Sequence, residues 1–408
     1  MWVARFFRRF FVVQRTRKHR YKQSQKIRFL QVRVPKNAVA RSSDIEASDH
    51  VSTMKDNIAL MNQVYKNFYA ISDSELLKKR LWDNYISMEI VVENEVIKYF
   101  VWVPEDHLYT VQKMIASFYP WALVEIVSQP KLLETWKYMA GGEFTLTKDS
   151  VYPIKTYESF EADPMDSLLS AFSQIWKQEK VCFQILAEPL SEKWLKDMRK
   201  QWEKIKKNEK KWFAKFMHDF FTSDKNKDKE KEKEEKENKH NFSQQQLSDF
   251  DKKMDDELFR VKIKAIATSP DKSRPNKILD DLSRLCNQYN YLWLNTLKFE
   301  KVKDRDLDPF ARNFVWRIFY TQKRFLNKII HKAKNNILNI KELSSLIHFP
   351  HWRFNQNPRI ARQKFKIVPA PDDLPNEWIV VGYNNYGWVE REIRITDKDR
   401  FRHIYILW

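Results

Sequence analysis

The order of apolar and polar positions describes an α+β chain with two related halves. An extended run from Ile27 to Val34 closes at Pro35, and Met54, Ile58, Met61, Tyr65 and Phe68 then recur at helical spacing. Two strand patterns follow, over 86–92 and 96–103, joined by the polar turn Glu93-Asn94-Glu95. Pro104 ends the second, and Glu105 and Asp106 suit the first turn of a helix carrying Leu108, Val111, Ile115 and Phe118. Tyr119-Pro120 stops that helix, and 122–127 reads as another strand. The β-α-β-β-α-β order is the split βαβ, or ferredoxin-like, pattern.

A second unit repeats the order. Extended segments cover 143–147 and Tyr152 to Tyr157, and Asp163-Pro164 signals a helix start before Leu168, Leu169, Phe172 and Ile175. Strands are expected over 181–187, 259–265 and 292–299, with a helix on Ile278, Leu282 and Leu285 before the last. Between the first two of these strands lies an insertion. Residues 191–221 are helical in pattern, with Trp194, Met198 and Trp202 at four-residue spacing, and 223–240 is almost wholly Lys, Glu, Asp and Asn. Such a mixed-charge run cannot bury apolar area and reads as a solvated linker between two helical arms. A helical section is expected over 310–340, and short strands over 378–381, 389–395 and 403–407. The expected architecture is α+β, with two ferredoxin-like (split βαβ) units, a helical, charged insertion and a C-terminal small-strand segment. By residue this gives a basic tail (1–25), a first unit (26–130), a second unit (140–302) with its insertion (191–256), a helical segment (303–350) and a connector with strands (351–408).

Composition sharpens this picture at three points. Hydrophobic residues make up 43% of the 408, enough for real cores, while a net charge of +20 favours polyanionic partners. Thirteen of the Lys and Arg residues fall between Met1 and Ser43, where no acidic residue occurs. There Arg5, Phe6, Phe7, Arg8, Arg9, Phe10 and Phe11 form a basic, aromatic stretch too short to span a bilayer but suited to an anionic membrane surface. A basic tail without partner fits the same residues. The two cysteines, Cys182 and Cys286, sit in apolar patterns and read as buried thiols of a reducing compartment.

Motifs that carry chemistry are missing. The four glycines, Gly141, Gly142, Gly382 and Gly387, lack the clustering and the following Lys-Ser/Thr that a phosphate-cradling loop needs. His348 and His351 are three apart, but Pro350 between them opposes a helical ligand pair, and no metal or cofactor is expected. Acidic residues are scattered, so no acid–base pair stands out, and the chain by itself is expected to have no enzyme activity. Tyr99, Val101 and Trp102 lie on a strand where a ferredoxin-like sheet can stack bases. The basic-glycine-aromatic signature of such modules is absent, which leaves non-specific phosphate attraction.

Seven segments in order resemble the N-terminal region of type IV secretion or conjugation motor ATPases of the HerA/FtsK-like class, from reduced-genome bacteria. They are LQVRVPK (30–36), ISMEIVVENEVIKYFVWVPEDH (86–107), SFYPWALVEIV (117–127), YPIKTYESFEADPMDSLLSAFS (152–173), LIHFP (346–350), NPRI (357–360) and ITDKDRFRHIYIL (395–407). The matching positions include Pro153, Lys155, Tyr157, His348, Pro350, Arg402 and His403. The resemblance implies a non-catalytic module on the cytoplasmic face of the inner membrane, or in the cytoplasm, partnered by other subunits of a secretion machine. It implies homo-oligomers if the module belongs to a motor. It also implies a P-loop following the last strand, at the place Trp408 occupies. The competing readings are a free-standing nucleic-acid-binding α+β protein and a fragment of an intact motor. Average usage would place roughly 29 glycines in this length. Either some tryptophans, Trp408 among them, are glycines in the organism, or an AT-rich genome disfavours glycine codons.

Overall fold

The computed structural model describes residues 27–35, 47–73, 85–130, 138–190, 192, 194–207, 244–291, 294–319, 336–351, 353–363, 370–386 and 389–401. The basic stretch Arg5 to Phe11, the linker 223–240, and Arg402, His403 and Trp408 lie outside the described residues.

The first half builds β1 (Ile27–Arg33), α1 (Ala47–Asp73), β2 (Ile86–Glu93), β3 (Val96–Pro104), α2 (Leu108–Phe118) and β4 (Leu123–Val127). The second builds β5 (Tyr138–Leu146), α3 (Pro164–Phe172), β6 (Lys180–Pro189), then the arm helices α4 (194–207) and α5 (Gln244–Asp255). It continues through β7 (Leu258–Ser269), α6 (Arg274–Cys286) and β8 (Leu297–Lys301). Strand order across the nine-stranded sheet is β4-β1-β3-β2-β6-β7-β5-β8, with β9 (Asn336–Asn339) pairing β7. Each half, taken from its outer edge inward, has the 4-1-3-2 order of a ferredoxin-like unit, with antiparallel neighbours throughout.

The halves join through equivalent second strands. β2 and β6 run antiparallel from Ile86 opposite Ala187 to Glu93 opposite Lys180. The two units are thereby related by an approximate two-fold at this junction, and the tight Asn94-Glu95 turn of the first corresponds to the helical insertion of the second. Both turn residues hold positive φ (51° and 63°), the conformation that matches strand twist in a two-residue hairpin.

Alternation assigns the faces. Ile86, Met88, Ile90 and Val92 of β2, Tyr99 and Val101 of β3, and Phe183 and Ile185 of β6 join the main core with α1, α2, α3 and α6. Val91, Phe100, Cys182 and Ile266 point to the other face, under Ala311 and Phe314 of α7 (Asp304–Val315). Both cysteines are buried free thiols. Gly141 and Gly142 are strand residues of β5 that admit aromatic rings: a Cβ at 141 would sit 2.5 Å from the Phe310 ring, and one at 142 would sit 2.3 Å from that of Phe299.

Two expectations shift. The helical section over 310–340 starts at Asp304 and does not extend through Asn336–Asn339, which is a strand. The Asn336 side chain bonds Leu146 N–H and Phe144 C=O, anchoring that segment beside β5. The strand expected from 292 begins at Leu297, because Asn295 turns its carboxamide onto Lys148 N–H, Asp149 C=O and Tyr152 C=O. The short helix α8 (Ile340–Leu346) falls within the helical segment expected over 303–350. At the C-terminal end β10 (Ile379–Tyr386) and β11 (Val389–Ile395) form a hairpin followed by α9 (Asp397–Arg400).

Candidate functional site

Three of the resemblance segments, 152–173, 346–350 and 357–360, converge on one buried seam. Residues 152–163 enter it from β5, and 339–363 enter it from α8. Asn339 caps α8 by accepting from Glu342 N–H, while Glu342 returns a bond to Asn339 N–H, a capping box written in the sequence as Asn-x-x-Glu. Glu342 also accepts from Ile154 N–H at 2.8 Å and pairs with Lys253 of α5 at 2.9 Å, both side chains 1% exposed. Burial pulls the Lys253 ammonium below its usual range, against the attraction of Glu342. Tyr157 N–H donates to Ser345 Oγ, its hydroxyl accepts from Asn62, and Tyr289 O–H donates to Ser345 C=O. Pro153 and Pro350 are buried, and Lys155 lies half-buried over the Phe160 ring at 5.8 Å. Of the motif positions, Pro153, Lys155, Tyr157, His348 and Pro350 therefore share this seam.

His348 is its charged centre. The ring is fully buried, with Nδ1 2.8 Å from Ser344 C=O and Nε2 3.1 Å from Asp163 Oδ2. A carbonyl and a carboxylate both accept, so the pair of acceptors favours the protonated ring, in which both nitrogens donate. Burial alone would push its pKa down, but the Asp163 carboxylate and the Ser344 carbonyl outweigh it and hold the pKa above the ordinary value. Asp163 in turn is held below the usual carboxylate range: burial is outweighed by His348, Asn355 and Met165 N–H. Asn355 bridges Asp163 to Asp166, whose pKa burial raises.

From His348 the chain runs as a strap across both units. On the second it binds α3 and the turn after it: Asn357 donates to Leu169 C=O, and Arg359 to Ile175 C=O. On the first, Ile97 exchanges backbone bonds with Arg359 and Ala361, and Gln363 N–H donates to Val34 C=O. Gln363 also donates to Arg33 and Trp121 carbonyls. These bonds continue the sheet past the end of β1, beside the start of β3.

A second polar centre sits on the opposite face of the sheet, under α7. Arg317 binds both oxygens of Glu89 at 2.6 and 2.8 Å, with side chains 2% and 0% exposed. Ser87 and Gln184 complete the Glu89 shell. Gln184, Tyr85 and Lys264 donate to the Phe314, Arg317 and Ile318 carbonyls, so the sheet caps the end of α7. Burial pulls Lys264 down to about 8.

Tyr99 and Val101 face the main core, and Trp102 is buried on the α7 side, stacked on Tyr85 at 5.2 Å. None of the three offers an open face to a base. His351 is separate from His348 in role: its Nδ1 accepts from Arg353 N–H and its ring packs on Trp121 and Phe354. Among the described residues no group of His, Cys, Asp or Glu is arranged to hold a metal ion. None of the described helices is long and apolar enough to cross a membrane.

Sequence reasoning reached Asp163 as a helix start, and it caps α3 by accepting from Met165 N–H. It missed Asp163 as the partner of His348, as well as Glu342, Lys253, Asn355, Glu89 and Arg317. The Asn-x-x-Glu signature could have flagged Glu342, and the mid-strand Glu89, among Ile and Val, could have flagged a buried charge.

These features define the class: an α+β protein of two ferredoxin-like units fused edge to edge and clasped by a buried polar strap. The chain belongs to the family described as Domain of unknown function (DUF8128), which matches residues 39–363 and so includes the whole seam and both units except β1. No curated protein matches the chain.

Proposed function

We propose that the chain is the non-catalytic front module of a membrane-associated type IV secretion or conjugation-type translocation ATPase. In this role it scaffolds contacts between neighbouring subunits and the channel base. The observation that carries the reading is the strap over 347–363. It stitches both ferredoxin-like units into one body through backbone and buried side-chain bonds, then hands the chain on to the C-terminal hairpin. That arrangement suits a rigid adaptor: the polar centres bind elements of the fold to one another. ATP hydrolysis in such a machine belongs to the motor domain. The basic stretch at 5–11 supplies the membrane contact, in keeping with a net charge of +20.

Vesicle flotation tests this placement. Full-length protein is expected to float with phosphatidylcholine vesicles containing phosphatidylglycerol, and less so after deletion of residues 1–25. Flotation unchanged by the deletion would remove the tail contact. Absence of flotation for the full chain would remove the membrane placement altogether.

A further inference from the structure

The helical arm inserted between β6 and β7 spends its apolar side internally. Met198 and Trp202 of α4 are buried against Phe250 and Met254 of α5, with the Trp202 and Phe250 rings stacked at 4.6 Å. Trp202 Nε1–H and Lys206 both reach Asp251. At 100° per residue, Lys196, Lys200, Lys204 and Lys207 then fall within an arc of about 80° on the side of α4 opposite this seam. All four are exposed. Successive members at four-residue spacing are about 6 Å apart along the helix, and the row is about 16 Å long. Like charges at i and i+4 oppose helix formation, an effect that Asp197 and Glu203 on the flanks of the row offset in part. Lys196 lies 3.9 Å from Glu192, while no ion pair to Lys200, Lys204 or Lys207 is found among the described residues.

The root of the arm has a definite place in the sheet. Ile27 is opposite Pro104, Ile86 is opposite Ala187, and Pro189 is opposite Phe259. The start of β1, to which the basic N-terminal residues connect, is therefore at the same end of the sheet as the arm.

We infer that the Lys196–Lys200–Lys204–Lys207 row of the arm is a second electrostatic contact with an anionic lipid bilayer, acting beside the N-terminal segment. This rests on the membrane placement proposed above. A straight row of ammonium groups meets a plane of headgroups along its full length. It carries no aromatic or amide side chain with which to read or stack bases. The apolar side of α4 is already occupied by α5, so the contact of this row is a surface one without insertion, and it weakens as salt screens it.

The test compares four full-length proteins by flotation on phosphatidylcholine vesicles with and without phosphatidylglycerol: wild type, the 1–25 deletion, K196Q/K200Q/K204Q/K207Q and the corresponding Lys→Arg variant. Circular dichroism checks the fold of each. The Gln variant is expected to lose binding by at least about tenfold at low salt, and the Arg variant to keep it. Wild-type flotation by the Gln variant, together with loss in the 1–25 deletion, overturns the arm contact and leaves the membrane placement standing. Loss in the Arg variant as well overturns it too, since charge would not be the cause. A duplex DNA that competes wild type off the vesicles, but not the Gln variant, and binds more tightly than lipid, reassigns the row to nucleic acid and overturns the lipid inference. Failure of wild type to float ends both readings together.

Discussion

Trp378 holds φ at 90°, a region that a bulky side chain rarely adopts, and its ring is 52% exposed without compensating burial. Trp202 is the contrast, with its ring buried, stacked and hydrogen-bonded. Left-handed backbone costs a residue with a Cβ roughly 1–2 kcal/mol, which glycine avoids. The shortage of glycine in the composition thus meets a backbone position that calls for one. Trp378→Gly is expected to stabilise the 379–395 hairpin by about 1 kcal/mol, read as slower amide exchange of its strands. In the native protein, the tryptic peptide covering 378 is expected to carry glycine at that position; an unambiguous tryptophan there would return the composition to codon bias.

At the scale of elements, α7 illustrates how a helix is held on a sheet face that mixes apolar and charged residues. Its apolar contacts are few: Phe310, Ala311 and Phe314 meet Val91, Phe100, Cys182 and Ile266. The Glu89–Arg317 pair and the caps from Gln184, Tyr85 and Lys264 then lock its C-terminal end. Removing one member of such a pair leaves a buried charge unmatched, the costly outcome for a desolvated ion pair. Gly141 sets the height of the helix at its other contact. Gly141→Val is expected to lift Phe310 and destabilise the protein by about 1–3 kcal/mol, with limited chymotrypsin cleavage appearing in 304–319 ahead of global urea unfolding. Unchanged protection of 304–319 would show that the ring relocates without moving the helix.

For the whole molecule, stability depends on the strap, and the strap depends on a proton. Asp163, with its lowered pKa, contributes stability above its unfolded value of about 3.9, and loses it as pH falls through the folded one. His348, with its raised pKa, contributes fully below its unfolded value of about 6.5, and loses that contribution as pH rises through the folded one. His348→Asn is therefore expected to destabilise by about 3 kcal/mol at mildly acidic pH. The gap to wild type should narrow as pH is raised past neutrality. Urea unfolding of both proteins across the pH range measures it, and a gap independent of pH would mean that His348 enters the fold neutral. Lys264 acts in the other direction: with a pKa pulled to about 8, it adds stability as pH rises from there towards its unfolded value, so the difference between the two proteins, rather than either curve alone, reports His348.

Local pattern was enough to determine both β-α-β-β-α-β units and most of their strands, because apolar alternation and helical spacing follow from which side of each element is buried. The segments that line the seam were marked by the family resemblance rather than by local pattern, and only as separate matches. Their meeting depended on the tertiary structure, since Asp163 and His348 lie 185 residues apart and nothing in the local pattern of either indicates a partner. The edge-to-edge pairing of β2 with β6 was equally out of reach, because two strands buried on both faces carry no mark of register or neighbour until the sheet joins them. The same holds for α7, whose place on the far face is set by a glycine in one strand and a glutamate in another.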